Sequence, residues 1–265
     1  MASVTLPLKA LVGMIHAGAL PGTPQASATV DELARAAVQE AWVLAEGGCD
    51  AVLVENMHDV PYLRGAVGPE VVAAMTAICR AVREATDLPC GVQVLAGANE
   101  AALAVALAAG FDFVRVEGFV FGHVADEGWM DACAGPLLRY RKMIGAEHIA
   151  LWADVKKKHS AHAATADVGL AETIKAAEFF GADAVVVTGE ATGRETSAAD
   201  LATARGATAL PVIVGSGVTA ENAAKMLQHA DAVIVGSALK KGGHWAGAVE
   251  LERVKAVACA ARAAR

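Results

Sequence analysis

Charged and polar side chains recur where short apolar runs end. His16 closes Ala10–Ile15, and Glu55 and Asn56 follow Ala51–Val54. Arg115 lies in the run Phe113–Val116 and Glu117 follows it, and Asp154, Lys156, Lys158 and His159 follow Ile149–Ala153. Carboxylates and imidazoles can transfer protons when their surroundings hold their pKa values apart. Glu55 and Asp154, at the ends of nonadjacent strands, fit a general acid and base. Their oxygens would equally suit a divalent cation, and the residue types leave both readings open. No other cofactor is implied. Arg115 and Glu117 lie two apart, so on a strand they share one side. A buried charge there needs a partner, since an unpaired one costs several kcal/mol. Glu55, Glu117 and Asp154 are the candidates, and the competing reading is a charged plug that only closes the core. Lys156 or Lys158 could form a Schiff base with a carbonyl substrate, although three successive lysines also describe a solvated loop. His16 and His159 are the acid/base histidines; His123, His148, His162, His229 and His244 are given no chemical role.

A second constellation is rich in glycine. Val212–Val214 runs into Gly215-Ser216-Gly217, and Ala232–Val235 runs into Gly236-Ser237. Glycine lets a ligand approach the backbone closely, and backbone N–H groups near a helix start can hold an anion. These turns, with Asn56, Thr188 and Gly189, are expected to bind a phosphate-bearing ligand. The competing reading is that the glycines only permit tight turns. Thr219 is expected to cap the following helix, with Asn222 in its first turn.

Eight strand–helix units must position these groups. Strands are expected at Ala10–Ile15, Ala51–Val54, Gly91–Leu95, Phe113–Val116, Ile149–Ala153, Ala184–Val187, Val212–Val214 and Ala232–Val235. Helices are expected at Val30–Glu46, Glu70–Thr86, Asn99–Ala109, Met130–Ile144, Val168–Phe180, Ala198–Gly206, Ala220–Gln228 and Val249–Ala263. This alternation implies βαβ units and a parallel sheet. Eight units in 265 residues predict a single (β/α)8 TIM barrel spanning 1–265, since such barrels run to about 250 residues. Catalytic groups in that fold sit at the C-terminal ends of the strands, and a phosphate often lies behind the last two. Asp50, Asp112, Asp183 and Asp231 recur just before strands and are assigned to turns at the opposite end. The loops 56–69 and 118–128 are expected to be lids or oligomer contacts, with the apolar Phe119–Phe121 pointing to a homo-oligomer.

A net charge of −7 argues against a nucleic-acid surface. Five cysteines with no CxxC pair read as buried reduced thiols, and hence as a cytoplasmic protein. Neither a signal peptide nor a membrane-spanning apolar run is evident.

The ordered set Met14-Ile15-His16, Leu20-Pro21-Gly22, Glu55-Asn56 and Asp59-Val60-Pro61 resembles the BtpA/SgcQ family. The resemblance continues through Gly91-Val92-Gln93-Val94-Leu95, Arg115-Val116, Ala153-Asp154-Val155-Lys156 with Lys158-His159, and Thr188-Gly189 with Thr192-Gly193. It ends with Gly215-Ser216-Gly217-Val218-Thr219 and Val235-Gly236-Ser237 with Leu239-Lys240. Gln93 and Glu117 depart from it, each standing where the family pattern leads us to expect Asn. The resemblance implies a TIM barrel and a connection with photosystem I biogenesis. Relatives in nonphotosynthetic organisms imply a common small-molecule activity. Three functions follow as expectations: an isomerase, lyase or hydrolase acting on a phosphorylated metabolite, a noncatalytic assembly factor, and a metal-dependent hydrolase.

Overall fold

The computed structural model describes residues 2, 4–156, 160–189 and 196–265. In chain order the elements are β1 (Ala10–His16), α1 (Val30–Gly47), β2 (Ala51–Glu55), α2 (Pro69–Ala85), β3 (Cys90–Gln93), α3 (Asn99–Ala109) and β4 (Phe113–Val116). Then come β5 (His123–Ala125), β6 (Gly128–Met130), α4 (Ala134–Met143), β7 (Ala150–Val155), β8 (Ser160–Ala161), α5 (Leu170–Phe179) and β9 (Ala184–Val187). The chain finishes with α6 (Ala198–Ala207), β10 (Val212–Val214), α7 (Ala223–Leu227), β11 (Ala232–Val235) and α8 (Leu251–Arg262). Eight parallel strands close in the order β1-β2-β3-β4-β7-β9-β10-β11, with β11 pairing back onto β1 at Ala10↔Ala232. This is the expected TIM barrel.

Two elements differ from the sequence expectation. The helix expected from Met130 begins only at Ala134, because His123–Met130 folds back as the antiparallel pair β5–β6, which β8 joins as a third strand. Asp126 and Glu127 make the turn between them, and Gly128 enters β6 at φ 104°. The helix expected over Ala220–Gln228 is confined to Ala223–Leu227; Asn222 turns its side chain back to the Thr219 N–H and the Gly217 carbonyl. Thr219 is therefore not that helix's side-chain cap.

Local chemistry explains the regular parts. Thr29 and Glu32 form a reciprocal capping box at the start of α1, and Gly48 ends that helix at φ 94°. At the N-terminal end of the barrel the recurring aspartates do one job. Asp50, Asp112, Asp183 and Asp231 each accept a hydrogen bond from the first part of a neighbouring strand, at Leu11, Cys90, Leu151 and Val212 N–H, over 2.8–3.0 Å. Each aspartate N–H also donates to the carbonyl of that same residue. The clamps link β1 to β2, β3 to β4, β7 to β9 and β10 to β11, so their role is structural.

The core has two layers. A large apolar cluster fills the space between the sheet and the helices. A smaller one fills the barrel interior, formed by alternate residues such as Met14, Leu53, Phe113, Trp152, Val186 and Ile234. Phe113 and Trp152 stack there with centroids 3.7 Å apart. Gly91 makes room, since a Cβ on it would lie 2.1 Å from the Phe113 ring. This inner layer is the floor of the C-terminal mouth.

Candidate functional site

Strand alternation puts the side chains two residues beyond that floor at the rim. They are His16, Glu55, Gln93, Arg115, Asp154 and Thr188, with Gly215 and Gly236 completing the circle. Glu117 follows two residues after Arg115. Glu55, Gln93, Arg115, Glu117, Asp154 and Thr188 are all buried. Of the polar residues expected from sequence at one mouth, His16, Glu55, Arg115, Glu117, Asp154 and Thr188 lie there together.

Arg115 pairs with Asp154, its Nε lying 3.2 Å from each carboxylate oxygen and its Nη2 3.1 Å from Oδ1. Burial alone would lower the arginine pKa, but Asp154, Glu55 and Glu117 outweigh it and hold the group above its ordinary value. Asp154 is thereby committed to the guanidinium. Glu117 is held from behind: Asn99 Nδ2 donates to its carbonyl at 2.7 Å, and its N–H donates to Asn99 Oδ1 at 3.3 Å.

His16 and Glu55 form a second pair, in register across β1 and β2, with Nε2 3.8 Å from Oε2. The other ring nitrogen, Nδ1, lies 2.9 Å from the Trp245 carbonyl oxygen. A carbonyl only accepts, so Nδ1 carries a proton and Nε2 is the atom turned toward Glu55. Trp245 also packs on His58, with ring centroids 4.8 Å apart. Burial lowers the His58 pKa, and nearby Lys240 adds to the effect. Tyr62 reaches over the same side from the 56–69 loop and donates to the Met57 carbonyl. Burial, then Glu55, Glu127, Glu117 and Asp59, push its phenol pKa up.

Behind His16 is a pair that sequence reading missed. Lys240 is 2% exposed and donates to Glu40 Oε1 at 2.7 Å, while Glu40 Oε2 accepts from the His16 N–H at 3.3 Å. Burial raises the Glu40 pKa against the pull of Lys240. The available signal was Glu40 itself, a charge three residues after Ala37 and one before Ala41 on the buried stripe of α1.

The glycine turns face this ring. A Cβ on Gly215 would lie 3.3 Å from Arg115 Nη2, and one on Gly236 would lie 3.3 Å from His16 Nε2. Gly217 has a positive φ of 72°. The Ser216 hydroxyl accepts from the Gly189 N–H at 3.0 Å, tying the turn after β9 to the one after β10. Ser237 opens a short 3-10 turn directly after Gly236.

Other expected residues fall differently. Asn56 is buried outside the inward row, donating to Asp59 and accepting from the Leu95 N–H at 2.7 Å, so it braces the loops. Lys156 leaves the strand with φ 49° and donates to the Thr165 carbonyl at 3.1 Å. It lines a small, water-sized pocket beside the rim, shared with Asp154, His123 and His162. Lys158, His159, Thr192 and Gly193 lie outside the described residues. Phe119 is fully buried rather than exposed, so of the Phe119–Phe121 segment only Phe121 reaches the surface substantially. Among the described residues no group of three His, Cys, Asp or Glu side chains could hold a metal ion. Nor is any described helix long and apolar enough to cross a membrane.

Comparison with known proteins agrees with this architecture. N-(5'-phosphoribosyl)anthranilate isomerase from Pyrococcus furiosus superposes with a TM-score of 0.58 over 96% of this chain and 98% of that one, at 14% identity, which shows the shared barrel fold. An uncharacterized, mitochondrial protein of Caenorhabditis elegans is 45% identical over 91% of this chain and 89% of its own length. The photosystem I biogenesis protein BtpA of Synechocystis is 34% identical over 93% of this chain and 85% of its own. The BtpA family model matches residues 7–263, and the chain belongs to that family.

Proposed function

We propose that this barrel is an enzyme that binds a phosphorylated small molecule and moves a proton on it, as an isomerase, lyase or hydrolase. The observation that carries the reading is the single ring formed by His16, Glu55, Arg115 and Asp154 with Gly215 and Gly236. A scaffold has no need of buried, convergent charge of both signs. In this reading the turns at Gly215-Ser216-Gly217 and Gly236-Ser237 hold the phosphate with backbone N–H groups. Thr188 and Gly189 border it. Arg115, oriented by Asp154, stabilises negative charge as it develops. Glu55 and His16 Nε2 exchange the proton. Glu117 completes the charged rim, while Lys156, and His159 outside the described residues, serve the side of the mouth next to β7.

Several features support this division. Asp154 has both oxygens engaged by Arg115, which leaves Glu55 the better base. The same engagement disfavours a divalent cation on Glu55 and Asp154. The isomerase that shares the fold has a name that points to a phosphoribosyl compound. A second reading, a noncatalytic assembly factor, is favoured by the name of the Synechocystis relative. The exposed Phe179 and Phe180, 86% and 49% accessible, further support self-association of the chain.

Thermal-shift measurements with ribose 5-phosphate, nucleotides and inorganic phosphate separate the readings. A ligand at a hundred times its Kd stabilises by about 2.7 kcal/mol. The enzyme reading expects a shift with at least one phosphorylated compound at millimolar concentration; none with any supports the scaffold. Once turnover is found, Glu55→Gln should lower it about a hundredfold or more. Unchanged turnover in Glu55→Gln excludes the assigned base, and loss of turnover in EDTA would restore the metal reading.

A further inference from the structure

We infer that Gln93 reads a hydroxyl of the ligand, so the phosphorylated molecule carries hydroxyl groups on its body, as a sugar phosphate does; this rests on the phosphate-binding reading above. Gln93 is 2% exposed, yet its Oε1 has no hydrogen-bond partner among the described residues. Its place in the barrel shows which way the side chain is directed. Gly91, two residues earlier on β3, faces the inner Phe113 ring, so Gln93 faces inward at the next level up. It stands in register with Glu55 on β2, inside the ring that carries the proposed chemistry. Buried amide groups are almost always hydrogen-bonded, and an unpaired one destabilises the fold. Here the cost persists at the mouth and not in the sealed core below it.

The type of ligand follows from the neighbours. Gln93 has Glu55 beside it on β2; on β4 it stands level with Arg115, whose charge is taken up by Asp154, and Glu117 follows, so carboxylates outnumber cations on this side of the rim. A phosphate would be repelled there, whereas a hydroxyl can donate to Oε1. The anionic end therefore belongs across the barrel, at Gly215 and Gly236, with the hydroxyl-bearing body over β2 and β3. A site built to bond a hydroxyl discriminates strongly against an analogue lacking it, because its own polar group is then left unpaired.

The test compares ribose 5-phosphate, propyl phosphate and inorganic phosphate by calorimetry on the full chain and on Gln93→Leu, with Gln93→Met as a second variant if the first folds poorly. The wild type should bind ribose 5-phosphate at least about tenfold more tightly than propyl phosphate. Either variant should close that gap while changing the inorganic phosphate affinity less than about twofold. Each variant without ligand should also melt at the same temperature as the wild type or higher, because an unpaired buried acceptor has been removed. A gap that survives the substitution, or a clear fall in melting temperature in both variants, overturns the role of Gln93. Absence of binding by all three phosphates, with a raised melting temperature in the variants, instead overturns the phosphate reading and leaves Gln93 as a reader of some other hydrogen-bond donor.

Discussion

Asp154→Asn separates a charged plug from a working ion pair. Arg115 is 8% exposed and Asp154 6%, and three N–O contacts of 3.1–3.2 Å join them. At 3.1 Å and an effective dielectric constant of about 20, unit charges attract by about 5 kcal/mol, and the desolvation of both groups opposes much of this. Breaking a buried pair by removing one partner costs about 3–5 kcal/mol, since the other charge stays behind. Glu55 and Glu117 remain close enough to act on Arg115, so the lower end, about 3 kcal/mol, applies. For a chain of this size that is a fall in Tm of about 6 °C, read by calorimetry or circular dichroism. Replacing both partners, as Arg115→Met with Asp154→Leu, should restore stability to within about 1 kcal/mol of the wild type while abolishing any ligand-induced shift. A single variant that loses less than 1 kcal/mol, or a double variant that still responds fully to phosphorylated ligands, would refute this account of the pair.

Other predictions concern the frame and its titratable groups. Asp112→Ala removes the acceptor for the Cys90 N–H and should lower stability by about 1–2 kcal/mol in urea unfolding, with ligand affinity unchanged because the clamp lies at the far end of the barrel. Burial pushes the Cys49 and Cys90 thiols up to about 12 and Cys133 to about 11, while Cys259 is exposed, so a thiol reagent at pH 8 should label Cys259 first and alone in the native state. His58 has a folded pKa below its ordinary 6.5 because of burial and Lys240, so the unfolded chain takes up this proton first. The contribution of His58 to stability should be complete above pH 6.5 and decline as the pH falls toward the lowered folded value. His58→Gln should flatten that part of the stability–pH curve, and an unchanged slope would contradict the assignment.

Much of the barrel is legible in the sequence because its signals are local. Apolar runs separated by Ala-rich helices mark all eight barrel strands to within a few residues, and the turn aspartates mark where four of them begin. The flap at 123–130 is hidden because Trp129 and Met130 carry apolar side chains that read equally well as the start of a helix. At the site, His16, Glu55, Arg115 and Asp154 are visible as charges at strand ends. Their pairing is not, because it depends on which side chains face each other across the barrel. Asn56 looks like a ligand residue from its place beside Glu55, yet the one-residue offset turns it away from the inward row. Lys240 and Glu40 are 200 residues apart, and only closure of β11 onto β1 brings them together.

The most direct test is a crystal structure of the chain with ribose 5-phosphate. The account predicts phosphate oxygens within hydrogen-bonding distance, about 2.7–3.2 Å, of backbone N–H groups in the turns at Ser216-Gly217 and Gly236-Ser237, with the sugar lying over Glu55 and Gln93. A sugar phosphate bound away from the C-terminal mouth, or bound there with its phosphate against Glu55 and the glycine turns untouched, would contradict it.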